Sequence, residues 1–183
     1  MNAFKENIPG LSQADEAARV AQPHGLMGTT PLRTTQPARA PVAVGETVSS
    51  TVHFSLADIA AFATACHDRN PLHRDSDAAA HSRFGEVIAS CSHAPSMLMG
   101  LAASYFSRCD DGIRREMVGL NYNFSFKAPV FADEDIQLSW RVAQVEWHAR
   151  LGGHLAHIEG TASTARSGTA LISRGTILVK TLD

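Results

Sequence analysis

An α+β fold, with an antiparallel sheet wrapped round one central helix, is predicted by three features of this 183-residue sequence. A strand pattern comes first, helical patterns follow, and four further strand patterns close the chain with no helix among them to cross between parallel strands. One helical stretch, "GEVIASCSHAPSMLMGLAASYFSR", has so few polar positions that the rest of the chain must wrap it on most sides. With 44% apolar and 19% charged residues, the chain has the material for one globular domain and a real core.

The elements can be taken in order. Residues 1–44 read as an arm: a short helical pattern, "SQADEAARVA", precedes "QPHGLMGTTPLRTTQPARAPVAVG", where Pro, Gly and Thr recur and no apolar period survives. The domain occupies residues 45–183. "ETVSSTVHF" is the first strand, with Val48, Val52 and Phe54 on one face. "SLADIAAFATACH" is an amphipathic helix with Ser55 as N-cap, Asp58 three residues later, and Ile59, Phe62, Ala63 and Cys66 at helical spacing. "SDAAAHSRF" is a short helical stretch. Pro95 suits the first turn of the central helix, where Met97, Leu98, Leu101, Ala102 and Tyr105 supply the core face and Met99 is further packing. "GLNYNFSFKAPVF" places Leu120, Tyr122, Phe124 and Phe126 on one strand face, and "DIQLSWRVAQVEW" does the same with Leu138, Trp140 and Val142. "HLAHIEGTASTAR" and "ALISRGTILVKTL" are the last two strands, joined by a hairpin turn at "SGT".

Composition excludes several function classes. Sixteen basic against eighteen acidic residues give a net charge of -2, and no basic block is interleaved with aromatics, so nucleic acid is not an expected partner. The longest apolar run, around "APSMLMGLAA", is too short to span a bilayer, and "MNAFKENIPG" lacks a secretory pattern. A soluble, cytoplasmic protein with no membrane partner is the expectation. Cys66, Cys91 and Cys109 are odd in number and sparse, which fits a reducing compartment.

The stretch that carries chemistry is "CHDRNPLHRD", residues 66–75. Five residues apart, Asp68 and His73 would lie about 140° apart on a helix and on opposite faces of a strand, so neither regular element brings them together. A turn does. Pro71 fixes its own φ, disfavours the helical region for Asn70 and donates no backbone bond, so the preceding helix ends near Asp68 and both side chains can be aimed at one point. The remaining histidines do not suggest a metal. His67, His73, His81 and His93 with Asp68 and Asp75 contain no H-x-x-x-H helical pair, and no cysteine pair has ligand spacing. His154 and His157 face opposite sides of one strand. Cys91, near a helix N-terminus, reads as a small core residue rather than a nucleophile.

"HDRNPLH" followed by "RFGEVIASCSHAPSMLMGLAAS" resembles the MaoC-like dehydratases, a hotdog-fold family that includes R-specific enoyl-CoA hydratases. The D-x-N-P-x-H motif falls on Asp68, Asn70, Pro71 and His73, the "RFG...IA" segment on Arg83, Phe84, Gly85, Ile88 and Ala89, and a later strand entry on Ala128, Pro129 and Val130. The resemblance runs from about Gly45 to the C-terminus. It implies a hotdog fold and hydration of trans-2-enoyl-CoA, or dehydration of (R)-3-hydroxyacyl-CoA. His73 and Asp68 would be the acid–base pair, Asn70 an orienting residue and the Cys91 backbone N–H the oxyanion donor. Arg83, Phe84, Gly85, Ser90, Ser92 and His93 would contact substrate. No cofactor is implied, since the CoA or acyl-carrier-protein thioester is itself the substrate.

Three positions depart from the family pattern: His67 stands where glycine usually precedes the aspartate, Cys91 where glycine is usual, and "PVFADED" where "P-V-x-x-G-D" is usual. They bear on substrate shape and leave the acid–base pair intact. A hotdog thioesterase and a non-catalytic acyl-binding hotdog subunit are the alternatives, because fold alone does not separate them. A homodimer with sheets joined edge to edge is the expected assembly.

Overall fold

The computed structural model describes residues 40–182, so the helix expected within residues 12–21 lies outside the described residues. The chain runs β1 (Thr47–Phe54), α1 (Leu56–Ala65), a 3₁₀ turn (Pro71–His73), α2 (Ser76–Ala80), α3 (His93–Phe106), β2 (Arg115–Phe126), β3 (Glu134–His148), β4 (Gly153–Thr164) and β5 (Gly168–Thr181). One antiparallel sheet, ordered β1-β3-β4-β5-β2, carries all five strands and leaves β1 and β2 at its edges.

Alternation along the strands builds the core. Ile136, Leu138, Trp140 and Val142 of β3, Ala156, Ile158 and Ala162 of β4, and Leu171, Ile177 and Val179 of β5 are all buried, and α3 lays Leu98, Ala102 and Phe106 on them. The Trp140 indole N–H donates to the Leu98 carbonyl at 2.6 Å, tying sheet to helix. Its ring fits because residue 160 on the neighbouring strand is glycine: a Cβ there would stand 2.5 Å from the ring. Ser55 and Asp58 form a reciprocal capping box at the start of α1, as their spacing predicts.

Several expectations need correction. Leu120 does not share a face with Tyr122 and Phe124, because a bulge between Gly119 and Asn121 leaves it the extra residue on an edge strand, 46% exposed. Phe126, at the end of β2, is 56% exposed. Helix α3 is largely wrapped, with one exposed stripe: Met97, Gly100, Ala103 and Ser104 are exposed along it. Met97 is therefore surface rather than core. The last hairpin turns at residues 165–167, with Gly168 already in β5 at a φ of 63°. Upstream of Gly45, Val42 is buried in the core and the Pro41 carbonyl accepts from Arg115 Nε at 2.7 Å.

Candidate active site

Helix α1 ends in a Schellman motif. The Asp68 N–H donates to the Ala63 carbonyl at 2.8 Å and the His67 N–H to the Thr64 carbonyl at 3.1 Å, with His67 in the left-handed region at a φ of 56°. This turns the chain out of the helix at Asp68. Asn70 then takes the extended conformation that a following proline demands, φ −62° and ψ 121°, and its side-chain oxygen accepts from the Leu72 N–H at 3.2 Å. Pro71 at the first helical position closes one 3₁₀ turn that ends on His73. The Asn-Pro break thus converts a five-residue spacing into proximity: Asp68 Oδ2 lies 3.6 Å from His73 Nε2.

The imidazole is held from behind. His73 Nδ1 lies 2.8 Å from the Ile88 carbonyl, and since a carbonyl only accepts, Nδ1 carries the proton and a neutral ring presents Nε2 as its acceptor. The Ile88 N–H in turn donates to the Leu72 carbonyl. Residues 87–89 are themselves anchored on the segment before β3, through Ala89 N–H to Val130 and Ala132 N–H to Val87. The Asn70 side-chain amide, as a donor, approaches Nε2 at a long 3.4 Å, slightly nearer than the Asp68 oxygen.

Asp68 accepts the Asn70 N–H on Oδ1 at 3.0 Å and the Ser90 hydroxyl on Oδ2 at 2.9 Å. These two bonds, in that order, hold its carboxyl below the ordinary carboxylate range, against a smaller opposing effect of burial and with help from His73 and Arg74. It is therefore an ionised acceptor at neutral pH.

Asp68 and His73 open onto a cavity of about 590 Å³ whose wall is largely apolar, including Leu72, Phe84, Ile88, Ala94, Val130 and Leu171. Cys91 lies on this wall just before α3, and its N–H meets no protein acceptor among the described residues. A helix of fourteen residues begins two positions on, with its positive dipole end toward the same place. An apolar chamber with one carboxylate, one imidazole whose Nε2 points inward and one free N–H at its end can move a proton at one point and stabilise negative charge at another.

The family model for the MaoC-like domain matches residues 35–161, well over half of the chain. This protein belongs to the MaoC-like dehydratase family. No curated protein matches the sequence. Among solved structures, the (R)-hydratase from A. caviae involved in PHA biosynthesis has a TM-score of 0.65 at 24% identity, over 74% of this chain and 96% of that one. R-hydratase PhaJ1 from Pseudomonas aeruginosa reaches 0.64 at 17% identity, covering 78% and 87%. The HadBC 3R-hydroxyacyl-ACP dehydratase complex from Mycobacterium tuberculosis reaches 0.59 at 17% identity, covering 75% and 96%. At such identities these likenesses carry the hotdog fold and nothing finer.

Within the MaoC-like domain, the structure gathers Asp68, Asn70, His73, Arg83, Phe84, Ser90 and Cys91 at the cavity. Cys91 is exposed there, not a small core residue. Three expected substrate contacts lie off its wall. His93 is 2% exposed and stacked between Phe54 and Phe62 at centroid distances of 3.9 and 4.1 Å; burial pushes its pKa down. Gly85, at a φ of 76°, serves the turn after α2 and donates to the Ser82 carbonyl. Ser92 directs its hydroxyl at Ser90, 3.2 Å away. Arg83 lies over the Phe84 ring at 4.7 Å. Lys127 and Phe126 line the cavity without having been singled out, although both stand beside the "APV" segment that was. Among the described residues no group of three metal-ligating side chains converges, and no helix is long and apolar enough to cross a membrane.

Proposed function

We propose that this protein adds water across the double bond of a trans-2-enoyl thioester, and runs the reverse dehydration of a (R)-3-hydroxyacyl thioester, by Asp68 and His73 acid–base catalysis. The observation that carries the reading is the Asp68–His73 pair, whose Nε2 is set as an acceptor by the Ile88 carbonyl and which faces an apolar chamber. Water held between the two groups loses a proton to His73 as its oxygen attacks the β carbon. Charge then develops on the thioester oxygen, where the Cys91 N–H and the α3 dipole stabilise it. The proton passes from the pair to the α carbon, so one water is added and the thioester stays whole. The acyl chain lies along the apolar wall. Arg83 and Lys127 are cations suited to the phosphate of a CoA or acyl-carrier-protein arm.

A thioesterase would deliver water to the carbonyl instead. Incubation with trans-2-enoyl-CoA substrates of several chain lengths, following conjugated-enone absorbance and free thiol together, separates the readings. Loss of absorbance without thiol release, yielding the (R)-3-hydroxyacyl thioester, is expected. Thiol release in step with substrate loss would favour the thioesterase, and no change in either signal the non-catalytic subunit.

The β2 edge, with Val118 and Leu120 exposed on it, is the surface we assign to a second copy of the chain, joined sheet to sheet. A monomeric mass at micromolar concentration would contradict that assembly.

A further inference from the structure

Ser90 is 4% exposed and bonded to the very oxygen of Asp68 that faces His73. A serine hydroxyl carries one proton. Because the Asp68 carboxylate only accepts, that proton is committed to Oδ2, and the Ser92 hydroxyl at 3.2 Å must therefore donate to Ser90 Oγ. The chain of donors has one direction, from Ser92 through Ser90 to Asp68.

Ser92 has been released for this task. It holds the N-cap position of α3, yet its φ of −85° and ψ of −13° are helical and it makes no side-chain capping bond. The residue at the third helical position is Pro95, which has no N–H to receive such a bond. Without Ser90, Asp68 would be fixed only through Oδ1 by the Asn70 N–H of its own turn, with its side chain 27% exposed and free to swing toward water.

We propose that Ser90, backed by Ser92, is a positioning residue: its hydroxyl holds Asp68 Oδ2 in the orientation that faces His73 Nε2 and the reacting water. This rests on the hydration reading and takes both serines out of the set of substrate contacts. It also contributes to the lowered carboxyl of Asp68, so loss of the hydroxyl raises that group's titration midpoint.

The test uses the full chain with Ser90→Ala, Ser92→Ala and Ser90→Thr, read by kcat, KM and the carboxylate carbon NMR titration of Asp68. For Ser90→Ala, kcat falls on the order of 10-fold with KM within about twofold, as a misplaced catalytic group predicts, and the Asp68 midpoint rises. Ser92→Ala shifts both readouts the same way by less, and Ser90→Thr, which keeps the hydroxyl, restores the midpoint. A raised KM at unchanged kcat would make Ser90 a substrate contact, and an unmoved midpoint in an active enzyme would overturn the positioning role alone. Wild-type inactivity on every enoyl thioester would overturn the hydration reading and this role with it. Should Ser90→Ala fail to fold, the same readouts on Ser92→Ala decide between these outcomes.

Discussion

The two ends of α3 each carry a cluster of charged side chains, and the clusters are built on opposite lines. Past the C-terminal end, Arg108 Nη2 donates to Glu46 at 2.7 Å and lies over the Tyr105 ring, whose hydroxyl donates to the same carboxylate at 3.0 Å. Arg115 donates to Asp111 at 2.6 Å and to the carbonyls of Pro41, Arg108 and Ile113 at 2.7, 3.0 and 3.0 Å. Asp111 is held far below the ordinary carboxylate range by Arg115. At Glu46 burial pushes the pKa up, and the bonds from Arg108, Ala43 and Tyr105 together outweigh it. Past the N-terminal end, Asp68 and His73 stand 3.6 Å apart, with an imidazole nitrogen and a carboxylate oxygen turned toward a cavity. A cluster that satisfies itself holds the fold; one that leaves paired proton acceptors facing open space is available to a third molecule.

Breaking the open end should cost activity and little stability. His73→Ala and Asp68→Asn are each expected to lower enoyl thioester turnover by about 10²-fold or more, with thermal midpoints within a few degrees of wild type by calorimetry. Breaking the saturated end should do the reverse. Arg115→Ala strips donors from three carbonyls, at about 1 kcal/mol each, so denaturant unfolding should show a loss of about 3 kcal/mol while turnover per folded molecule is unchanged.

The contrast also has a pH signature. Asp111 and Glu46 are depressed in the folded state, so their contribution to stability is fully present above the unfolded carboxylate pKa and is lost as pH falls from there toward the folded values. Unfolding midpoints measured downward from pH 5 should therefore fall more steeply for wild type than for Arg115→Met, which no longer depresses Asp111. The smallest effect concerns the entry to the open end. His67, exposed and left-handed, holds a position glycine fits without strain, so His67→Gly should stabilise the chain by up to about 1 kcal/mol and keep its activity. A loss of turnover there would give His67 a part in the reaction.

What the sequence disclosed was local. The capping box of α1, the stop before Asp68 and the Asn-Pro turn are set by residues within five positions of one another, and the apolar alternation of β3 is a property of one strand. Non-local facts stayed hidden. Ser90 meets Asp68 across 22 residues, and the group that orients His73 is a backbone carbonyl, which any residue at position 88 would offer. The resemblance put His93 among the substrate contacts, but the side chain of this first residue of α3 enters the Phe54–Phe62 sandwich, a contact with residues about 30 to 40 positions earlier that no local pattern shows. Leu120 fell out of its predicted face because one bulge reverses every side chain on one side of it.

The central claim is that Asp68 and His73 work as one unit on a conjugated thioester. Turnover of trans-2-enoyl-CoA by Asp68→Asn, His73→Ala and the double variant tests it most directly. A shared task predicts that the double variant is no slower than the slower single, since either change already removes the water-activating pair. Losses that multiply, or a single variant that keeps wild-type turnover, would contradict it.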